Sequence, residues 1–321
     1  MKSMKSFLLQ IFMMAFLFPA MLLSVTQFDL LDVEASGLQF TPQTEAYSVA
    51  VNWGEEQSNM DLEAYVRGVV LAEMPADFEL EALKAQAVVA RTFAWKAFTR
   101  GGKHADHTIC TNSACCQGYI SEENYLSYYG TAEEMEKVRK AVQATAGTVI
   151  MYGDDLIEAT YFSSSGGYTE DAYAVWGNDY PYLTAKESPE EDAQGEECKA
   201  FSSAYLESIL HTRLEDNPEA WFHDWEFTNG GGVAGVGVGN RRFSGTELRQ
   251  ALNLRSTLFS VTIENDVVFF HTRGYGHRVG MSQFGADAMA MEGKTYEEIL
   301  KYYYTGIELK KIMELEGENG K

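Results

Sequence analysis

The chain reads as an α+β protein, with mixed helices and antiparallel strands around a substrate cleft. Several segments keep the three-to-four-residue apolar spacing of helices, while others alternate as strands. The two kinds are mixed without the steady alternation of a doubly wound parallel sheet. There is no internal repeat and no coiled-coil register, and 321 residues suffice to bury a substantial core.

The elements follow in order. Lys2 and Lys5 precede an apolar run over 7–26. Its length approaches the hydrocarbon thickness of a bilayer, and its positive end favours the cytoplasmic side. A cleaved signal peptide has a shorter core and a small-x-small site. Residues 1–26 therefore read as a single-pass membrane anchor, with a signal as the alternative, and everything beyond them as extracytoplasmic. Residues 27–44 read as a stalk, 45–310 as the main folded domain and 311–321 as a C-terminal tail.

Within the domain, "AYSVAVNW" predicts a first strand. A helix over 61–71 is capped by Asp61, and a stronger one over 79–99 is stopped by Gly101 and Gly102. Residues 103–130 read as loop and 132–145 as a third helix. "GTVIMY" and "IEATYF" read as a hairpin through "GDD". A long polar and aromatic loop, an acidic surface loop at 187–198 and a helix near 201–211 follow. "NGGGVAGVGVGN" reads as loose turn and strand, and a helix begins at "SGTELRQAL". The last elements are two alternating strands, "LFSVTIEND" and "DVVFFHTRG", and two helices behind a glycine-rich entrance.

Composition excludes one class of partner. A net charge of −22 repels nucleic acid, whose binding rests on cations neutralising phosphates.

Three constellations carry possible chemistry. In "LAEMPADFELEALKAQAVVARTFAWKAF", 71–98, Glu73 stands in the connection before the long helix, and Lys84 and Arg91 lie two turns apart on it. The plain reading is that these cations reach water or pair with Glu81 or Glu73. The sharper one is that they border a cleft in which Glu73 is a general acid, its pKa raised by apolar walls. In "HADHTICTNSACC", His104, Cys110 and Cys116 have the donor types for a tetrahedral zinc, with Cys115, His107 or Cys198 as possible substitutes. A disulfide is the competing reading. In "RGYGHRVGMSQFGA", 273–286, Tyr275, His277, Ser282 and Gln283 offer an aromatic ring and polar groups of the kind that hold sugars, although Ser282 alone is explained by helix capping. Ser164 and Ser165 in "FSSSGG" form a similar polar loop. No Gly-x-Ser-x-Gly elbow accompanies them, which disfavours a serine hydrolase.

These blocks, together with "YFSSSGGYTEDAYAVWG" and "FSGTELRQALNLRST", resemble the stage II sporulation protein D family over about residues 45–310. The resemblance implies a membrane-anchored lytic transglycosylase of sporulation engulfment. It would cleave the N-acetylmuramic acid–N-acetylglucosamine bond of peptidoglycan strands freed of stem peptides. It further implies Glu73 as the sole acid/base, Lys84 and Arg91 as cleft residues, and His277 and Gln283 as matches to the terminal block. A zinc held by His104, Cys110 and Cys116, structural rather than catalytic, is implied as well. So are a partner amidase and a membrane scaffold protein of the engulfment machinery. Arg278 departs from the pattern, since a small residue is commoner there, and is expected to alter the charge of the cleft. Two alternatives stand: a non-catalytic wall-binding protein that activates an amidase, and a zinc amidase built on His104, Cys110 and Cys116.

Overall fold

The computed structural model describes residues 47–54, 56–189 and 195–319. The expected anchor and stalk lie outside these residues. Among the described residues, no helix is long and apolar enough to cross a membrane.

The chain begins with β1 (Ser48–Asn52) and β2 (Gln57–Asp61), an antiparallel pair. Helix α1 (Leu62–Glu73) follows, capped as expected by the Asp61 carboxylate, which accepts the Ala64 N–H at 2.8 Å. Helix α2 (Leu80–Arg100) is the centre of the molecule. Its Leu83, Ala87, Ala90 and Ala94 belong to one buried cluster, and its Ala82, Ala85, Val88 and Val89 to another. A helix apolar on most of its circumference has to be surrounded. The small alanines let α1 and other elements approach it closely.

The stretch read as loop at 103–130 carries a short strand, β3 (Ile109–Cys110), parallel to β1, and a capped helix, α3 (Glu122–Tyr128). Helix α4 (Ala132–Ala144) has the full Thr131–Glu134 capping box. The "GDD" turn does make a hairpin, but it joins β4 (Thr148–Tyr152) to β5 (Asp155–Leu156). The following β6 (Tyr161–Phe162) leaves for another sheet, and α5 (Ala172–Trp176) interrupts the long loop after it.

A third cluster belongs to β7 (Glu197–Ser202), α6 (Ser203–Leu210), β8 (Phe222–Phe227), β9 (Val233–Val238), β10 (Arg241–Ser244), α7 (Gly245–Ala251), β11 (Phe259–Glu264) and β12 (Val267–Thr272). Two antiparallel sheets, β10-β9-β8 and β11-β12-β7, enclose it. The glycine-rich run is a turn followed by a strand, as expected, and that strand is the central one of its sheet. A Cβ on Gly237 would lie 2.2 Å from the His223 ring, so this strand must be bare for its neighbour's side chain to cross it.

The chain then returns to α2. Strand β13 (Met281–Ser282) pairs in parallel with β6. Helices α8 (Gln283–Met291) and α9 (Tyr296–Tyr303) cover α2, and β14 (Glu308–Lys311) pairs with β4. The expected tail is helix α10 (Ile312–Asn319), whose Ile312 is fully buried. Helices and small, mostly antiparallel sheets are mixed throughout, which is the α+β class.

Candidate functional site

Glu73 is the last residue of α1 and is half-buried. It lies on a cleft of about 510 Å³ that also receives Tyr161, Trp176, His277, Arg249, Lys103 and Glu158. One carboxylate oxygen accepts the backbone N–H of Gly118, and the carboxylate also accepts the Tyr161 hydroxyl. A Cβ at Gly118 would sit 2.9 Å from Oε1, so only glycine permits this contact. Gln117 Nε2 donates to the Tyr161 oxygen at 3.4 Å, and Tyr65 donates to Gln117 at 3.4 Å. Burial raises the pKa of Glu73 above the ordinary carboxylate value, and the two donors only partly oppose it.

Gln283 is buried and does not enter the cleft. Its Nε2 donates to the Glu73 carbonyl at 2.8 Å and thereby fixes the end of α1. His277 does line the cleft. Its Nδ1 accepts the Val279 N–H at 3.1 Å, and its ring also hydrogen-bonds the Tyr161 backbone. Desolvation, then the nearby Arg249 charge, lowers its pKa to about 4, so at neutral pH the ring is uncharged. The ring packs edge-on against Trp176, centroids 5.2 Å apart, and leaves that indole 39% exposed on the cleft.

Several expected residues lie elsewhere. Arg91 is fully buried and does not border the cleft; it is paired with Glu63. Lys84 bonds Glu81 at 2.5 Å and lies 6.0 Å from the Tyr296 ring, on the α9 side. Lys84 thus follows the plain reading, paired with Glu81, whereas Arg91 neither reaches water nor pairs with Glu81 or Glu73, its partner being Glu63. Ser164 and Ser165 are buried: Ser164 pairs by backbone with Tyr275, and Ser165 Oγ accepts the Gly167 N–H at 2.9 Å. Ser282 caps α8, accepting the Gly285 N–H at 3.1 Å. Tyr275 is 48% exposed beside Arg255 and does not line the cleft itself. Arg278 does not alter the charge of the cleft. It is fully buried, bonds Glu170 at 3.0 Å and donates to the carbonyls of Ser165 and Gly230 at 2.8 and 2.6 Å.

Sequence reasoning missed Tyr161, Trp176, Glu158, Arg249 and Gly118. Trp176 and Tyr161 stood in a quoted block, but nothing in their spacing separates a cleft aromatic from a core one. Glu158 is matched by Lys96 at 2.5 Å.

His104, Cys110, Cys115 and Cys116 converge, their donor atoms all within 4.8 Å of one another. Cys115 is therefore a fourth member of the expected set. The Cys115 and Cys116 sulfurs are 4.0 Å apart, and a zinc tetrahedron with about 2.3 Å bonds needs about 3.8 Å. The three cysteines are free thiols and half-buried. Burial opposes ionisation of Cys110, yet the Asn112 N–H, His104 and Cys115 bring its pKa down to about 6. His107 points instead to the Phe98 carbonyl, and Cys198 lies on β7. Four protein donors leave no open position for an activated water, unlike a catalytic zinc. Cys115 and Cys116 also line the cleft, immediately before Gln117 and Gly118. A second hollow of about 680 Å³ lies across Gly118, shares Ser113 with the first and holds the exposed rings of Tyr128 and Tyr129.

The cleft thus brings together a half-buried acid with a raised pKa, a second carboxylate paired with Lys96 and a partly exposed indole. Residues 54–152 match the family model described as stage II sporulation protein. The chain is 37% identical to stage II sporulation protein D of Bacillus subtilis (strain 168), over 78% of this chain and 75% of that one. It is 33% identical to the protein of the same name from Bacillus amyloliquefaciens, over 86% and 82%. It is also 29% identical to the amidase enhancer of Bacillus subtilis, over 76% of this chain and 40% of that protein. The chain belongs to the stage II sporulation protein D family.

Proposed function

We propose that the chain is a lytic transglycosylase acting on stem-peptide-free peptidoglycan strands during engulfment. It cleaves between N-acetylmuramic acid and N-acetylglucosamine and leaves 1,6-anhydro ends. The observation that carries this reading is Glu73, a half-buried carboxyl with a raised pKa, held by Gly118 and Tyr161 on a cleft. Protonated Glu73 gives its proton to the leaving glycosidic oxygen. Glu73, now ionised, takes the proton of the C6 hydroxyl as that oxygen closes on C1. The same acid serves both steps and no water is consumed, unlike the two-carboxylate hydrolysis of ordinary glycosidases. The Gly118 and Tyr161 donors hold the carboxylate formed between the steps. The Trp176 face supports a sugar ring, and the hollow beyond Gly118 extends the path of the strand.

His104, Cys110, Cys115 and Cys116 have the donors and spacing to hold a zinc ion. The bound ion would supply rigidity to the loop that presents Gln117 and Gly118. The reading places the catalytic domain outside a single-pass anchor. An amidase that strips stem peptides and a membrane scaffold protein would be its partners.

Mass spectrometry of products from denuded glycan tests the proposal. Anhydro ends that vanish in Glu73→Gln, and persist in Glu158→Gln, support it. Reducing ends that require both acids would indicate hydrolysis instead. A second reading, a wall-binding activator of an amidase, is favoured by the relative named amidase enhancer. Amidase stimulation that survives Glu73→Gln would support it.

A further inference from the structure

The whole protein carries a net charge of −22, yet the unmatched charges on the cleft are positive. The charged side chains lining it are Glu73, Lys103, Glu158 and Arg249. Glu158 is matched by Lys96, and Glu73 holds its proton more tightly than an ordinary carboxyl. Two cations remain. Lys103 is exposed and gives its ammonium to the Cys115 carbonyl. Arg249 is half-buried on α7, and its Nε donates to the Arg255 carbonyl at 3.2 Å. Among the described residues no carboxylate pairs with it. Burial lowers its pKa without removing its charge, which an arginine keeps throughout the accessible pH range. A half-buried guanidinium without a counter-charge is costly, and a planar anion is the group its fork fits.

We infer that Arg249 is a specificity residue that binds the free carboxylate of the lactyl ether on N-acetylmuramic acid. The assignment rests on the glycan substrate proposed above. N-acetylglucosamine has no charge, so the lactyl group is the one anion on a strand without peptides. Where a stem peptide is attached, that carboxylate is an amide and cannot neutralise the guanidinium. Rejection of peptide-bearing strands then follows from charge as well as bulk, since a site built for an ionic partner loses most when the partner is missing.

The test measures binding by the full chain carrying Glu73→Gln, so that turnover does not intervene. The probes are denuded glycan strands and the same strands with their lactyl carboxylates converted to methylamides. The acid strand is expected to bind roughly 10- to 100-fold more tightly, the range of a charge-assisted hydrogen-bonded pair. Adding Arg249→Gln should bring the two strands to equal affinity, and Arg249→Lys should retain only part of the preference. The preference of the parent is decisive even where Arg249→Gln does not fold. Equal affinities in the parent overturn the assignment. So does a preference that survives Arg249→Gln, or one abolished by Lys103→Gln alone. Should the wild type release no anhydro products while the preference holds, the proposed activity fails and the assignment to Arg249 stands.

Discussion

Gln283 holds Glu73 by its backbone: the side-chain amide donates to the Glu73 carbonyl at 2.8 Å across 210 residues of sequence. Ser282 caps the helix that Gln283 begins, so the donor's position is fixed by the cap. Gln283→Ala frees the end of α1 and lets the acid drift. The expected result is a fall in kcat of roughly 10- to 100-fold, the scale of a small misplacement of a reacting group, with KM much less affected. Steady-state kinetics on denuded glycan, with a thermal melt as the folding control, reads it.

Arg91 and Glu63 form a bidentate pair, Nε to Oε1 at 2.8 Å and NH2 to Oε2 at 2.5 Å. Arg91 also donates to the Thr148 carbonyl at 3.2 Å, and Glu63 accepts the Gly147 N–H at 2.9 Å. The pair thus ties α1 and α2 to the start of β4. Arg91→Ala should cost about 3–5 kcal/mol of stability, because it leaves a partly buried carboxylate and a carbonyl without their donor. Arg91→Lys should also destabilise, since an ammonium cannot make the fork. Lys84→Ala, by contrast, should cost under about 1 kcal/mol. Denaturant melts give the order, and a folded Arg91 variant with lost glycan binding but unchanged stability would refute it.

The four-donor cluster makes a prediction about metal. The purified chain should carry one zinc per molecule, and exhaustive chelation should lower activity by loosening residues 111–118. The sheets formed by 197–272 should keep their protection, because their core is separate. Metal analysis with hydrogen exchange separates this from a catalytic metal. Chelation that abolishes turnover while the loop stays protected would contradict a structural role.

The sequence revealed the elements governed by local chemistry. The caps at Asp61 and Ser282, the stop at Gly101 and the alternating strands β11 and β12 all depend on near neighbours. Glu73 stood out because an acid beside an apolar helix is unusual, and three of the four clustered donors stood out by type. Arg91 was ambiguous for a physical reason: periodicity places a cation on a helix face but does not say whether that face meets water or Glu63. The tertiary partners of Glu73 were invisible. Gly118, Tyr161 and Gln283 reach it from 45 to 210 residues away. What the glycines of β9 answer was hidden as well: Gly235 makes room for Arg242 and Gly237 for His223, side chains of the two flanking strands.

The ionisation of Glu73 makes the last prediction, and its sign is fixed. Its folded pKa lies above the ordinary value of 4.5, chiefly through burial. The protonated acid begins the proposed reaction, so kcat/KM should fall as pH rises through that raised value. Tyr161 opposes the shift by donating to the ionised form. Tyr161→Phe removes the donor, so the alkaline limb should move to higher pH even as the rate drops. Stability follows the same linkage. Between the unfolded and folded pKa values the native state binds more protons than the unfolded chain, so this contribution declines as pH rises. Glu73→Gln stays neutral throughout, and its advantage over wild type in Tm should be larger at pH 8 than at pH 5, by about 2 °C for each kcal/mol in a chain this size. Paired melts at the two pH values measure it. An advantage that shrinks toward alkaline pH would mean the carboxylate is the better-held form, and the acid role would have to be abandoned.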